Sequence, residues 1–99
     1  MQKFHIALGI KNINKAIIDF TYKLDSKPII IIKNKYVLFR TETLNISLRK
    51  DNQVSLRHLG WEDSTCKSFE KTVDSNRILW ERFPFEYQLK EIRDIFPLN

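Results

Sequence analysis

Hydrophobic and polar residues alternate over the first ten positions of the chain. The residues on one side of the alternation are Phe4, Ile6, Leu8 and Ile10, and those on the other are His5, Ala7 and Gly9. Because successive side chains of a strand point to opposite faces of a sheet, this pattern predicts a half-buried β-strand. From residue 13 the apolar positions recur every three or four residues, which predicts an amphipathic helix capped by Asn12. The apolar stripe of this helix consists of Ile13, Ala16, Ile17, Phe20 and Leu24.

Three more strands are predicted in the first half of the chain. Ile29–Ile32 is a β-branched run, and Tyr36–Thr41 follows it after a tight turn as its hairpin partner. Alternation resumes over Leu44–Arg49. The element order of the first half is therefore βαβββ, and the polar residues 51–53 connect it to the second half.

The second half repeats the opening of the first. Residues 4–20 and 57–73 can be aligned on the only two histidines of the chain, His5 and His58, and its only two glycines fall near matching ends of the two strands. This self-similarity predicts two copies of one supersecondary unit, each carrying a histidine on its first strand. The second copy would then have a helix after the strand Val54–Trp61. The apolar stripe of that helix would consist of Cys66, Phe69 and Val73.

Two further strands, Leu79–Phe83 and Tyr87–Phe96, are predicted after this second helix. The second half is then one strand short of the first. We therefore expect a single α+β domain of two βαβββ-like modules, with module one at about 1–51 and an incomplete module two at about 53–99. Both helices are expected on the same side of the sheet.

The composition narrows the classes of protein that the chain can belong to. Its 99 residues, 42% of them hydrophobic, suit one globular domain. The net charge of +5 is spread along the chain without a dense basic run, so no nucleic-acid interface is expected. No apolar run reaches the roughly 20 residues that cross a bilayer, and the opening reads as a strand and not as a signal peptide. The single cysteine, Cys66, allows no internal disulfide and suits a core position in a cytoplasmic protein.

Two short segments carry a family resemblance. They are Phe-His-Ile-Ala-Leu-Gly-Ile-Lys-Asn-Ile at residues 4–13, with the helix to Phe20, and Arg-His-Leu-Gly at residues 57–60. Both resemble the module openings of the vicinal oxygen chelate superfamily, which includes glyoxalases and extradiol dioxygenases. The resemblance covers nearly the whole chain in element order. It implies a curled mixed sheet around a concave cavity, into which His5 and His58 would project.

In metal-dependent members of that superfamily, the ligands come from the first strand of each module and from the last strand of one or both. His5 and His58 match the first-strand positions, but Ser47 stands where glyoxalases often place a glutamate. The final strand, which usually carries another glutamate, is missing in the preferred register. An alternative register makes the last predicted strand the ligand strand, with Glu91 as its carboxylate. The resemblance thus leaves open a divalent metal ion (zinc, nickel, iron or manganese), with Glu91, Glu62 or a group from another subunit as the third donor.

Arginines on or beside the predicted cavity strands are candidates for binding an anion. Arg40, Arg49 and Arg57 hold this position, and guanidinium groups bind carboxylates and phosphates through paired hydrogen bonds. Together with Ser47 they form the candidate ligand-binding set.

Three functions follow from these features. The first is a glyoxalase-like small protein, without catalytic activity, that binds a small anionic ligand in a sheet-lined cavity. The second is a metal-dependent lyase, isomerase or dioxygenase of the same superfamily, although the sequence identifies no catalytic residue. The third is a non-enzymatic dimerisation or partner-binding module. A homodimer is expected in any case, because a missing strand would leave a sheet edge unpaired.

Overall fold

A computed structural model of the protein describes residues 2–97. In this range the chain forms nine elements, in the order β1 (Gln2–Ile10), α1 (Ile13–Leu24), β2 (Ile30–Ile32), β3 (Tyr36–Arg40), β4 (Leu44–Lys50), β5 (Ser55–Asp63), β6 (Glu70–Val73), β7 (Leu79–Phe83) and α2 (Phe85–Ile95). The strands form one seven-stranded mixed sheet with the order β2-β3-β4-β1-β5-β7-β6. The predicted α+β class is confirmed. None of the helices in this range is long and apolar enough to cross a membrane.

The first strands of the two halves lie side by side at the centre of the sheet. β1 runs antiparallel to β5 and parallel to β4, while β5 runs parallel to β7. In each half, therefore, the first strand pairs with the last. The β5-β7-β6 order matches β1-β4-β3, so the second half lacks counterparts of β2 and α1. We expected the second half to lack its final strand, the eighth of the sheet. The elements that it lacks are instead the helix and the strand that follow the first strand of the first half.

Helix α1 covers the first half of the sheet, as predicted. Asn12 caps it by accepting a hydrogen bond from the backbone of Lys15 at 3.0 Å, and Asp25 ends it in the left-handed conformation at φ 49°. Ile17 and Phe20, which belong to the predicted apolar stripe, pack against the apolar face of the strands. The buried centre of this core consists of Ile13, Ala16, Val37, Phe39, Ile46 and Leu48.

The predicted second helix, with its stripe of Cys66, Phe69 and Val73, is absent. Asp63 instead closes a turn, because its carboxylate accepts hydrogen bonds from the backbone and hydroxyl groups of Thr65. The chain then pairs with β7 as the edge strand β6. Thr72 and Val73 are β-branched, and such residues favour a strand over a helix.

The predicted strand Tyr87–Phe96 is also wrong, because this segment forms helix α2. Its apolar residues Phe85, Leu89, Ile92 and Phe96 recur at helical spacing, and Pro84 immediately precedes the first turn. Glu86 in the first turn and Arg93 in the last complement the helix dipole.

The two helices lie on opposite faces of the sheet, so the expectation that both share one side is wrong. α1 packs with Val37 and Phe39, whereas Ile92 of α2 packs with Tyr36 and Leu38 of the same strand. Adjacent residues of a strand point to opposite faces, which separates the two cores. As a result α2 lies on the face that carries His5.

Candidate functional site

His5 and His58 meet on the α2 face of the sheet. In the β1–β5 ladder His5 lies opposite Gly60, and His58 lies opposite Ala7. The two imidazoles are therefore diagonal neighbours on one face, with their Nε2 atoms 3.0 Å apart. The predicted convergence of the two histidines is confirmed.

Asn45 on β4 fixes the position of the hydrogen on His5. The Nδ1 atom of His5 lies 2.9 Å from Asn45 Oδ1 and 3.0 Å from the Asn45 carbonyl oxygen. Both partners are acceptors, so Nδ1 carries the hydrogen and donates it. In a neutral ring the Nε2 atom of His5 then holds a lone pair, and the hydrogen between the rings is donated by His58 Nε2.

A buried network fixes the orientation of the Asn45 amide. Its Nδ2 atom donates to Glu62 Oε1 and to Gln88 Oε1, both at 2.8 Å, and Gln88 Nε2 donates back to Asn45 Oδ1 at 3.1 Å. A carboxylate can only accept, so Nδ2 must face Glu62. Gln88 belongs to α2, so this network ties the helix to the sheet beneath the histidines.

Burial keeps both imidazoles neutral at neutral pH. It lowers the pKa of His5, against the opposing effect of the hydrogen bonds to Asn45. It also lowers the pKa of His58 to about 3, and the nearby His5, Arg57 and Lys71 act in the same direction.

Glu81 on β7 joins the pair, and the sequence analysis missed it. Its Oε1 atom lies 3.5 Å from His58 Nε2, and its side chain is 8% exposed. Burial raises the pKa of Glu81, while Lys71, whose Nζ atom is 4.0 Å away, opposes the shift. Glu81 pairs with Gly60 in the sheet, where the absence of a side chain allows β7 to approach closely. The signal in the sequence was a charged residue at the same face of the predicted strand as Leu79 and Phe83.

The structure places two expected site residues in a different role. Arg40 donates two hydrogen bonds to the Glu62 carboxylate, both at 2.8 Å, and its guanidinium stacks on the Phe85 ring at 3.9 Å. Burial raises the pKa of Glu62, but the hydrogen bonds from Arg40 and Asn45 outweigh it and hold that pKa below its usual value. Arg40 and Glu62 thus support the site from beneath and do not line the cavity.

A cavity of about 520 Å³ opens above the histidines. Its wall includes the expected residues Ser47, Arg49, Arg57 and Glu91, together with Lys71 and Glu81. With neutral imidazoles, the three cationic side chains in this wall outnumber its two carboxylates by one. The apolar part of the wall consists of Leu56, Phe69, Leu79, Phe83, Ile92, Ile95 and Phe96.

The described residues supply an incomplete ligand set for a metal ion. Among residues 2–97 no group of three or more His, Cys, Asp or Glu side chains is arranged to hold one. His5 and His58 offer two nitrogen donors, whereas catalytic zinc typically has three protein ligands. The expected third donor Glu62 is bound to Arg40.

The fold is similar to those of solved structures. A hypothetical protein from Staphylococcus aureus matches with a TM-score of 0.62 and 8% identity over 84% of this chain, which spans only 33% of that protein. An NAD-dependent benzaldehyde dehydrogenase from Legionella pneumophila matches with a TM-score of 0.57 and 13% identity over 81% of this chain and 96% of that one. Neither the protein-family models nor the curated proteins gave a match. At these identities the likeness concerns the fold alone.

Proposed function

We propose that the protein binds a small anionic molecule in the cavity above His5 and His58. The observation that carries the proposal is the pair of neutral imidazoles at the base of a cavity whose wall holds three cations. Pockets of roughly 300–1,000 Å³ suit small ligands, and this cavity of about 520 Å³ falls in that range. The ligand's anionic group would contact Arg57 and Lys71, and its apolar part would contact Phe69 and Phe83.

The histidines would recognise a hydroxyl or carbonyl group of the ligand. In place of the hydrogen bond between the two rings, the lone pair of His5 Nε2 would accept a hydrogen bond from a hydroxyl group of the ligand, and His58 Nε2–H would donate one to a ligand oxygen. Asn45 holds this polarity in place, because it fixes the hydrogen of His5 on Nδ1. We therefore favour a small hydroxy or oxo carboxylate as the ligand.

The proposal includes a relation to the vicinal oxygen chelate superfamily, as a member without catalytic activity. The first half has the complete βαβββ order, and the two histidines come from equivalent first strands. In this interpretation the sheet curls around the cavity, and the second module is reduced to three strands. We place the protein in the cytoplasm, which suits the free thiol of Cys66.

The experiment is an NMR titration of the imidazole C–H signals with lactate and pyruvate, with propylamine as a cationic control. We expect both carboxylates, but not the amine, to shift the signals of His5 and His58. Arg57→Ala should weaken binding about tenfold, the equivalent of losing one charged hydrogen bond. The matched control Arg93→Ala removes an arginine outside the cavity wall and should leave binding unchanged. Equal responses to carboxylates and amine would contradict the proposal.

A second candidate, a metal-dependent lyase, isomerase or dioxygenase, rests on the 3.0 Å separation of the two Nε2 atoms. Imidazole nitrogens bind zinc at about 2.0–2.1 Å, and donors around one ion lie about 3 Å apart. Glu81 would supply the third ligand from within the same chain, because its Oε1 atom lies 3.5 Å from His58 Nε2. A bound zinc, nickel, iron or manganese ion would polarise oxygen atoms of a substrate. Metal analysis of untagged protein separates the candidates: one equivalent per chain, lost in His58→Ala, would favour the enzyme.

A further inference from the structure

The face of the sheet opposite the histidines is covered by a helix over only one half. Leu59 and Trp61 pair with Ile6 and Phe4, and Leu59 also pairs with Trp80, so these side chains share the α1 face. α1 packs over β1, β3 and β4, and α2 packs on the other face. We call the uncovered surface of Phe4, Leu59, Trp61, Thr72 and Trp80 the bare half-sheet. It lies where the expected second helix did not form.

The bare half-sheet is aromatic and grooved. The ring of Phe4 lies 5.2 Å from that of Trp61, in edge-to-face contact, and 6.4 Å from that of Trp80. A groove of about 260 Å³ runs beside both indoles and is also lined by Glu70 and Thr72. Phe4 and both tryptophans keep part of their surface exposed, and Thr72 is exposed.

The outer side of α1 carries apolar residues where a surface helix normally carries polar ones. Ile18 is 70% exposed and Tyr22 is 77% exposed. The two residues are four positions apart and therefore adjacent on the helix surface, with Lys15 next to them. This outer stripe points away from the chain's own sheet, because the sheet contacts are made by Ile17 and Phe20.

We propose that a second copy of the chain docks here, with the outer stripe of α1 in each copy packed on the bare half-sheet of the other. Both surfaces lie on the same side of the sheet, so one two-fold axis satisfies both at once. The two α1 helices would then lie side by side between two sheets. Each copy supplies the helix that the second half of its partner lacks.

The charges around the two surfaces are complementary. Lys11 and Lys15 flank the outer stripe and are exposed. Glu70 lines the groove of the bare half-sheet, and Asp74 accepts a hydrogen bond from Trp80 Nε1 at 2.9 Å. Arg82 also lines this groove, but its charge is already paired with Asp63. A chain with a net charge of +5 repels its own copies unless local charges of opposite sign meet. This geometry brings lysines of one copy to carboxylates of the other.

The area is sufficient for a stable dimer. A large aromatic side chain buries about 150–250 Å². Two copies of Tyr22 and Ile18, together with the surface that they cover, bury on the order of 1,000 Å², the size at which specific interfaces begin.

The first test is the mass in solution, measured by light scattering at micromolar concentration. We expect twice the chain mass of 11.9 kDa for the wild type and the monomer mass for both Tyr22→Lys and Thr72→Lys. Both residues are exposed, so we expect neither change to disturb the fold, and circular dichroism of the variants is the check. Tyr87→Lys is the matched control, because this 41%-exposed tyrosine belongs to α2 on the other face, and it should remain dimeric.

A disulfide between copies tests the register of the interface. Tyr22→Cys and Thr72→Cys are made in separate chains that also carry Cys66→Ser, and the two are mixed under mild oxidation. We expect a mixed disulfide that requires both cysteines. A monomeric wild type would overturn the proposal. So would a dimer that survives Tyr22→Lys and Thr72→Lys but is lost in Ile31→Lys, because that pattern indicates pairing through the β2 edge.

Discussion

The Nε2 atoms of His5 and His58 lie 3.0 Å apart, and one hydrogen serves both. Asn45 holds the hydrogen of His5 on Nδ1, so His58 is the donor of the pair. Protonation of His5 at Nε2 would place two N–H groups against each other in a buried site. This conflict and the burial of both rings oppose protonation of the folded protein, so acid should favour the unfolded chain.

We expect the free energy of unfolding to fall as the pH is lowered from 6.5 towards 4.5. The ordinary histidine pKa is 6.5, whereas that of folded His58 is about 3, so in this range the unfolded chain binds more protons. Each histidine that stays neutral in the fold then costs about 1.4 kcal/mol per pH unit. Urea unfolding at pH 7, 6, 5 and 4.5 measures this loss.

The control for this acid effect is His58→Gln, which keeps a polar side chain but has no imidazole to protonate. Its stability should depend less steeply on pH over the same range. A wild-type stability that stays constant between pH 7 and 5 would contradict the assigned protonation states.

The first half of the fold could be predicted because its signals are local. The alternation that predicted residues 3–10 corresponds to the strand Gln2–Ile10, and the stripe after Asn12 corresponds to α1. The convergence of His5 and His58 was also accessible, because equal positions in adjacent central strands bring side chains to one face.

The second half was predicted in part. The predicted strands Val54–Trp61 and Leu79–Phe83 correspond to β5 and β7, and α2 was missed although its apolar residues have helical spacing. Distant contacts decide the segment between β5 and β7. Cys66, Phe69 and Val73 have helical spacing, but Asp63 closes a turn before them and β7 pairs with the chain that follows. Glu81 was missed for a related reason. Its proximity to His58 depends on the β5–β7 register, which no local pattern reveals.

Asn45→Ala should lower the free energy of unfolding by about 2–4 kcal/mol. The change removes one side-chain hydrogen bond from His5 and one from Glu62, although His5 keeps the backbone carbonyl of residue 45 and Glu62 keeps Arg40. The buried amide of Gln88 loses its Asn45 partner altogether, which costs about 1–3 kcal/mol. Urea unfolding measures the loss. Asn52→Ala changes an exposed asparagine and should have an effect within 0.5 kcal/mol. Equal costs for the two variants would show that the network contributes no stability.

Arg40→Met should raise the pKa of Glu62 above its usual value. Removal of the guanidinium leaves burial, which favours the neutral acid, opposed by Asn45 and by the charge of Lys3. In the wild type the lowered pKa of Glu62 contributes stability that is present above pH 4.5 and is lost as the pH falls below it. The variant should lose this contribution, as measured by carboxyl NMR together with urea unfolding. Arg93→Met, on the exposed side of α2, is the matched control, and a Glu62 pKa that does not change in Arg40→Met would contradict the assignment.

Gly60→Ala should destabilise the protein far more than Gly9→Ala. A Cβ atom at residue 60 would lie 1.9 Å from the carbonyl oxygen of Glu81, so the β7 backbone itself has to move. At residue 9 the nearest atoms are the ends of the Asp51 and Ser55 side chains, both at 3.0 Å, and these can rotate away. We expect a cost of about 3 kcal/mol or more at Gly60 and less than about 1 kcal/mol at Gly9, measured by urea unfolding. Because β7 carries Glu81, Gly60→Ala should also displace that carboxylate from His58 and shift the imidazole signals of His58. Equal costs at the two glycines would mean that β5 and β7 do not pair in this register, and Glu81 would then have no place at the site.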